Sequence, residues 1–246
     1  MNEQISLFDE EQRINSVGKY VRRISYEETK PFLLGIHYAR RMPCITDAFG
    51  LFLDGKLVGV CTFGVPASRP LCVGLAGESN SRNVLELNRL VLLPEHNGRN
   101  YASYLVAHAL KMLPNRTFVV SYADTAWSHV GYVYQATNWL YTGMSAKRVD
   151  TYQPGGGHPR KYDKNNHSEL YQTRSAKHRY VYLVGDKRTR KIMRGELKYP
   201  VYDKYPKGDE TKYDVDNPQI IEPIKVLEGK KKQKGETHVD RNENEA

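Results

Sequence analysis

The sequence contains few cysteines and no long hydrophobic run, and these absences exclude several classes of protein. Only three cysteines, Cys44, Cys61 and Cys72, occur among 246 residues. This odd, sparse set argues against a disulfide scaffold and fits a reducing cytosol. No apolar run approaches the ~20 residues that span a bilayer. The polar, acidic stretch 1–11 does not resemble a secretory signal, so we expect a cytoplasmic protein without a membrane partner.

Several common catalytic and metal-binding signatures are also missing from the sequence. It has no GxxxxGK[ST], CxxC, HExxH or GxSxG string. These absences argue against a P-loop, a thiolate zinc site, a zinc protease and a serine-hydrolase elbow. The length of 246 residues predicts one large domain, or one domain with appendages, and no internal repeat is present.

The positive charge is concentrated in one segment. The net charge is +9, but residues 147–208 alone hold 16 basic and six acidic residues together with eight tyrosines. Interleaved cations and aromatics suit a polyanion whose bases can stack. A solvated basic surface is the alternative interpretation, and the concentration in one segment favours nucleic acid.

Hydrophobic periodicity predicts an α/β domain. Apolar runs indicate strands over 17–26, 48–53, 56–63, 84–92, 117–123, 139–142 and 179–184, and the Asp54-Gly55 pair indicates a hairpin. Helices are expected from Thr29 to about 38, from Asn100 to 113 and over 130–136, with a loop over 66–83. This alternation predicts a mixed sheet covered by helices, with ligands at the carboxyl ends of its strands.

Composition divides the chain further. We expect a flexible tail over 1–15, a core over 16–146, a basic extension over 147–208 that completes the domain, and a largely disordered tail over 209–246. The Gly-rich stretch 153–159 is expected to be a flexible break.

One candidate anion site follows the predicted strand 84–92. That strand leads through a turn containing Gly98 into the helix capped by Asn100. Free N–H groups and the positive end of the helix dipole suit an anion such as a pyrophosphate. Most capped helices bind no ligand, so an ordinary capped helix is the alternative interpretation of this turn.

Polar side chains at element ends are the candidates for chemistry. Ser121 and Asp124 end a buried strand, although Asp124 can equally cap the following turn. His37 and Tyr38 end a helix, where a histidine serves acid–base work or metal binding, or is simply structural.

Two further candidates lie on the core elements. Arg89 is expected on the apolar side of its strand with Leu87 and Val91, and a buried guanidinium needs an anionic partner such as Asp124. Tyr134, on a short helix, is placed to donate a proton to a leaving thiolate, or is an ordinary packed tyrosine.

Four ordered strings then resemble one family. They are HYARRMP (37–43), ELNRL (86–90), SYADT (121–125) and YQATNWLYTG (134–143), and LKYP (197–200) extends the match. Together they resemble the Mom family of bacteriophage DNA-modification proteins over about residues 18–206. The resemblance implies a GNAT-like (N-acetyltransferase) fold and an enzyme that attaches a methylcarbamoyl-type group to the exocyclic N6 of adenine in double-stranded DNA. Such DNA resists host restriction endonucleases.

The resemblance also implies site residues and cofactors. The active-site positions would be His37, Tyr38, Arg89, Ser121 and Asp124. Acetyl-CoA is the implied cofactor, held through Leu90, Val91, Gly98, Arg99, Asn100, Ser103 and Tyr134. The turn over 97–102 is poorer in Gly and Arg than the usual acetyltransferase loop. Iron is also associated with the family; His37, Asp124 and His129 are candidate ligands, although no spacing rule favours that set.

An independent motif occupies the amino-terminal tail. Gln4, Ser6, Leu7 and Phe8 belong to a pentapeptide that resembles the peptide by which bacterial proteins bind the DNA polymerase sliding clamp. Two apolar anchors on a mobile peptide can enter a groove and become ordered there.

Two other functions remain open at this point. One is a conventional acetyl-CoA-dependent N-acetyltransferase that acts on a small amine, a protein or RNA. The other is a non-enzymatic DNA-binding protein. The basic segment 147–208 argues against a small-amine substrate, and the joint presence of His37, Tyr38, Arg89 and Asp124 argues against lost catalysis.

Overall fold

The computed structural model describes residues 18–151, 170–208 and 226–228. The predicted tail over 1–15 with its Gln4–Phe8 motif, the break over 153–159 and nearly all of 209–246 lie outside the described residues. The strands are β1 (Lys19–Arg23), β2 (Asp47–Leu53), β3 (Lys56–Gly64), β4 (Val84–Leu92), β5 (Phe118–Asp124), β6 (Leu140–Met144), β7 (Arg148–Thr151), β8 (Leu170–Arg174), β9 (Lys177–Leu183) and β10 (Val226–Glu228). The helices are α1 (Tyr26–Lys30), α2 (Arg69–Ala76), α3 (Tyr101–Lys111), α4 (Tyr132–Ala136) and α5 (Lys187–Glu196).

Seven strands form the main sheet in the order β1-β2-β3-β4-β5-β9-β6, and β10-β8-β7 form a small second sheet. The pairing is antiparallel except between β4 and β5. The predicted hairpin joins β2 to β3, and both turn residues, Asp54 and Gly55, have positive φ angles of 47° and 78°. This topology confirms the predicted α/β class with a mixed sheet.

The two central strands pair only at their amino ends. The parallel ladder runs from Val84 opposite Phe118 to Glu86 opposite Val120 and then stops. β4 nevertheless stays paired with β3 as far as Leu92, and β5 stays paired with β9 as far as Asp124. The sheet therefore opens between two strands that each remain anchored on their outer side.

A β-bulge in β4 changes which way its side chains point. Arg89 pairs with Thr62 and Leu87 pairs with Phe63, so Asn88 is an extra residue. The prediction that Arg89, Leu87 and Val91 share one face was wrong for this reason. Leu87 packs in the cluster under α3, whereas Val91 packs on the opposite face.

Helices cover both faces of the sheet. One face carries α3 and α4, with Leu105, Ala109 and Tyr134 in the largest core cluster. The other face carries α2, α5 and the π-helical segment Pro31–Ile36, with Leu33 and Met193 packed on it. The helix predicted from Asn100 to 113 is confirmed as α3, in which Leu105, Val106, Ala109 and Leu110 are buried, and Leu113 is buried just beyond its end.

The first helix begins earlier than predicted. Ser25, not Thr29, is its N-cap, and a reciprocal capping box joins Ser25 to Glu28. Thr29 is fully buried instead. The chain then continues as a π-helical segment over Pro31–Ile36, so that His37 follows the end of the helical segment directly.

Two helices were missed in the sequence. The stretch 66–83, expected to be a loop, contains α2, whose Leu75 and Ala76 are buried. Its Pro and Gly content masked a helix in which Pro70 sits harmlessly in the first turn. The other missed helix is α5, where only Met193 is buried and the hydrophobic periodicity is therefore almost absent.

A carboxyl-terminal strap over 199–208 crosses β6 and α4. The Tyr202 backbone pairs with Tyr141, and the Tyr205 hydroxyl donates to the Trp139 carbonyl at 2.7 Å. Gln135 Nε2 donates to the Pro206 carbonyl at 3.1 Å. Within the described ranges, the helices lack the combined length and hydrophobicity that a membrane crossing requires.

Candidate active site

A cleft of about 500 Å³ lies where β4 and β5 separate. Its walls come from five places: the carboxyl half of β4, the end of β5, the segment 128–134 that leads into α4, residues 36–38 at the end of the π-helical segment, and Lys177 of β9. The start of α3 closes one end, where Asn97 and Ala102 line the cleft.

The structure brings most of the predicted site residues to this cleft. Those that line it are His37, Tyr38, Leu90, Val91, Arg89, Ser121 and Tyr134. Those that lie outside its lining are Asp124, Gly98, Arg99, Asn100 and Ser103. The last four form the exposed or half-exposed turn at the start of α3, beside the lining residues Asn97 and Ala102.

His37 is held as a neutral hydrogen-bond donor. The backbone N–H of Ala39 donates to His37 Nδ1 at 3.0 Å, so the proton of the neutral ring resides on Nε2. The side chain is 7 % exposed. Burial, and secondarily the Arg89 guanidinium, lower the pKa of His37 to about 4.

Arg89 enters the cleft with hydrogen-bonding capacity to spare. Its Nη1 donates to the Asn88 carbonyl at 2.6 Å. Its buried Nε has no hydrogen-bond partner among the described residues, and the same holds for the buried hydroxyl of Ser128, which also lines the cleft. Burial lowers the pKa of Arg89. Because buried donors are normally satisfied, both groups are suited to an incoming ligand.

The sequence suggested an ion pair between Asp124 and Arg89, but in the structure Asp124 has other partners. Its carboxylate accepts from Lys177 Nζ at 2.7 Å, from Ser175 Oγ, and from the Ala126 N–H at 3.0 Å. Burial raises the pKa of Asp124, but these hydrogen bonds outweigh it and hold the pKa below its usual value. The capping alternative is therefore the observed one, and through Lys177 the carboxylate orients a side chain that does line the cleft.

Ser121 and Tyr134 form a short chain of hydrogen bonds inside the cleft. Ser121 Oγ lies 2.8 Å from the Leu87 carbonyl and 2.7 Å from the Tyr134 hydroxyl. Because a carbonyl only accepts, Ser121 donates to Leu87 and Tyr134 donates to Ser121. Tyr134 is 8 % exposed, and burial raises its pKa to about 12. Its proton is thus already committed to Ser121.

Sequence analysis missed two charged residues of the cleft. Glu86 is the last β4 residue paired with β5, and its carboxylate lines the opening. Burial raises the pKa of Glu86, while the Arg89 and Lys177 charges oppose that rise. The signal that could have identified Glu86 is its place in the ELNRL string. Lys177 has no such local signal, because it lies on β9, 88 residues after Arg89 in the sequence.

The start of α3 supports the predicted anion site in one respect. Asn100 is the N-cap, but it is left-handed, with φ of 59°, and its side chain makes no capping hydrogen bond. The first N–H groups of the helix are therefore not satisfied by this side chain. They lie beside the cleft end formed by Asn97 and Ala102.

The described residues do not fit an iron site. They contain no cluster of three or more His, Cys, Asp or Glu side chains that could hold a metal ion. His37 Nδ1 is occupied by the Ala39 N–H, and Asp124 is engaged by Lys177. The iron ligands suggested by the resemblance are therefore not assembled among the described residues.

Comparison with known proteins gives two kinds of match. The family model described as the Mom protein family matches residues 19–207. A curated relative, methylcarbamoylase mom of Escherichia phage Mu, is 32 % identical over 114 residues, which cover 44 % of this chain and 46 % of the relative. The matched part of the chain thus spans about half the length of that relative.

Similar solved structures are acetyltransferases. An N-acetyltransferase from Staphylococcus aureus Mu50 has a TM-score of 0.42 at 15 % identity and covers 68 % of this chain and 99 % of its own. Arabidopsis thaliana NAA60 in complex with acetyl-CoA has a TM-score of 0.43 at 12 % identity, with coverage of 68 % and 99 %.

Proposed function

The chain belongs to the Mom protein family, and we propose that it is a phage DNA-modification transferase. Its substrate is the exocyclic N6 of adenine in DNA, to which it adds a small acyl-derived group of the methylcarbamoyl type. The modification protects the DNA from host restriction in the bacterial cytoplasm. The name of the phage Mu relative, a methylcarbamoylase, supports this reaction class.

One observation carries the proposal, namely that the cleft passes between β4 and β5 and is lined from both faces of the sheet. On the α3 and α4 face lie Ser121 and Tyr134. On the opposite face lie Glu86 and Arg89. Side chains alternate between the two faces of a strand, so Glu86 shares the face of Val84 and Arg89 shares the face of Val91. An acyl donor that enters from one face and an acceptor base that enters from the other would meet within the opening.

Acetyl-CoA is the donor cofactor that we propose for the α3 face. The β4 edge at Leu90 and Val91, which pairs with no strand of the described residues, offers backbone groups to an amide-containing arm. The start of α3, where the Asn100 side chain makes no capping hydrogen bond, offers N–H groups to a pyrophosphate. When bound, this cofactor supplies an acyl group activated as a thioester, and the nitrogen of a methylcarbamoyl-type group must come from a separate nitrogen-containing co-substrate. The Tyr134 hydroxyl can donate its proton to a leaving thiolate only when its hydrogen bond to Ser121 breaks, so Ser121 governs proton delivery at this point.

The acceptor side suits a planar, hydrogen-bonding base. Adenine N6 is inaccessible inside a duplex, so the base must leave the stack, at a cost of roughly a few kcal/mol. His37 presents a neutral Nε2–H donor, Arg89 has an unpartnered Nε–H, and Glu86 supplies a carboxylate that accepts from an amine. The basic, tyrosine-rich segment 147–208 would hold the surrounding DNA.

The test is to express the chain in bacteria, digest the cellular DNA to nucleosides and measure deoxyadenosine derivatives by mass spectrometry. The parent should yield a modified deoxyadenosine, and Arg89→Gln should abolish it. Arg82→Gln, an exposed arginine outside the cleft, is the matched control and should behave as the parent. Unmodified DNA together with acetyl-CoA turnover on another amine would establish the conventional N-acetyltransferase instead. DNA binding without either reaction would establish a non-enzymatic DNA-binding protein.

We also propose that the amino-terminal pentapeptide binds the bacterial sliding clamp. Leu7 and Phe8 are the apolar anchors of a motif in an acidic, polar segment. Tethering would raise the effective concentration of the enzyme at newly replicated DNA. In a pull-down, the parent should retain the clamp and the Leu7→Ala/Phe8→Ala variant should not; equal retention would reject the motif.

A further inference from the structure

Helix α5 presents an exposed basic surface that stability alone does not explain. Lys187, Arg188, Arg190, Lys191 and Arg194 are all exposed on its ten residues. Among the described residues, none of these five cations forms an ion pair with an acidic side chain. The only acid within the helix, Glu196, pairs with Arg116 of another element.

The arrangement of these charges opposes helix formation. Lys187 and Lys191 stand one turn apart, as do Arg190 and Arg194, and such like-charge pairs repel. Lys187 and Arg188 also occupy the first turn, where the helix dipole disfavours cations. The N-cap Asp186 offsets this in part by accepting from the Thr189 N–H. The cations of α5 oppose folding of the helix that carries them, which indicates a binding partner that neutralises their charge.

The helix is nevertheless fixed firmly to the domain. Met193 is fully buried in the cluster with Val84 and Val181. Since its buried apolar anchor faces the core, the solvent-facing side is almost purely cationic, with Ile192 as the one exposed apolar residue. A membrane-surface helix would need an apolar face free for lipid, so the surface fits a polyanion in water.

The surface lies on the acceptor side of the cleft. Val84 of β4 packs with Met193, and Glu86, two residues further along the strand, points to the same face. Arg89 returns to that face after the bulge at Asn88. The basic helix and the proposed base-binding side therefore share one face of the sheet, opposite α3.

We propose that α5 is the element that grips the phosphate backbone of double-stranded DNA while the target base enters the cleft. The proposal rests on the proposed function and assigns the contact to one helix within the segment 147–208. A helix of ten residues is about 15 Å long, and duplex DNA of that length carries about nine phosphates. Four or five side chains can therefore contact phosphates together.

The experiment compares two charge-matched variants of the full chain. Lys187→Gln/Lys191→Gln/Arg194→Gln removes three α5 cations, whereas Lys56→Gln/Arg82→Gln/Lys111→Gln removes three exposed cations elsewhere. Binding to an unmodified duplex is measured between about 50 and 200 mM salt, the range over which counterion release is resolved. The slope of log K against log salt should fall by about 0.9 for each lost contact, or about 2.7 in all, for the α5 variant only.

The outcomes separate this proposal from the proposed function. An α5 variant that keeps the parent slope, or two variants that lose equal slope, would overturn the assignment to α5, whatever the nucleoside analysis gives. Loss of binding to anionic vesicles or to RNA, with duplex binding intact, would also overturn it. If the parent yields no modified deoxyadenosine, the function fails while the slopes still decide the role of α5. The thermal midpoint of the α5 variant should equal or exceed that of the parent, which excludes unfolding as the cause.

Discussion

The buried, neutral state of His37 makes the protein's stability depend on pH in a way that one substitution should remove. The folded protein holds the pKa of His37 at about 4, against an ordinary value of 6.5. Above pH 6.5 the ring is neutral in both states and contributes no pH dependence. As pH falls below 6.5 the unfolded chain takes up a proton that the folded protein refuses, so stability is lost progressively until about pH 4.

The magnitude follows from the same two values. One pKa unit corresponds to about 1.36 kcal/mol, so His37 should reduce the free energy of unfolding by about 2.5 kcal/mol between pH 7.5 and 4.5. At 7 % exposure, solvent screens this cost little. The Arg89 guanidinium adds to it, because a second positive charge nearby opposes protonation of the ring.

The assay is urea unfolding at a series of pH values for the parent, His37→Asn and His37→Gln. Asn keeps an acceptor for the Ala39 N–H, Gln places an amide donor near the position of Nε2, and neither titrates. Both variants should lose the same part of the acid dependence, because the other histidines cancel in the comparison. Curves for parent and variants that run parallel from pH 7.5 to 4.5 would refute the buried, neutral assignment.

Four further outcomes follow from the same structure. His37→Gln should retain at least tenfold more DNA-modifying activity than His37→Asn, because only Gln keeps a donor at Nε2; equal activities would argue against a donor role. Glu86→Gln should lower activity at least tenfold yet raise the free energy of unfolding at pH 7. Burial raises the pKa of this carboxyl, so its ionised form costs stability, and a denaturant titration checks the sign of the change. Gly131→Ala should destabilise the cleft wall by more than about 1 kcal/mol, because φ is 82° and a Cβ would lie 2.5 Å from Tyr180 Cε2; an unchanged melting temperature would contradict this. Tyr205→Phe should cost about 1 kcal/mol by removing the donor to the Trp139 carbonyl, and a shift no larger than that of an exposed Tyr26→Phe control would contradict it.

Local signals in the sequence predicted the sheet and most of its connections. The strands around Asp54-Gly55 and the buried run ending at Ala123 have strong hydrophobic patterns, and the structure confirms both. α5 could not be found in this way because it buries a single side chain, Met193. Its contacts with the core come from the tertiary fold and leave no periodicity in the chain.

The site was only partly accessible to sequence analysis for a related reason. Which strings meet could be inferred from the family resemblance, and His37, Arg89 and Ser121 do line one cleft. Which groups pair depends on register. The bulge at Asn88 turns Arg89 to the opposite face from Leu87, and antiparallel pairing places Lys177 directly opposite Asp124. Neither the bulge nor that register has a signature in composition or spacing.

The separation of β4 from β5 requires a physical explanation, because beyond Glu86 the facing backbone groups of the two strands have no hydrogen bonds to each other. Sheets normally satisfy such groups, and each buried, unpaired one costs about 1–3 kcal/mol. At Leu87 the protein provides its own substitute, since Ser121 Oγ donates to the freed carbonyl. Further along, at Leu90 and Val91, the β4 edge that faces away from β3 lines the cleft and pairs with no strand of the described chain. A ligand carrying amide groups would complete that edge as a strand does, because it would pair with backbone groups that the described strands leave unpaired. The same contact ties Tyr134 to Ser121: the Ser121 hydroxyl donates to the freed Leu87 carbonyl and accepts from Tyr134, whose proton the proposed reaction would use.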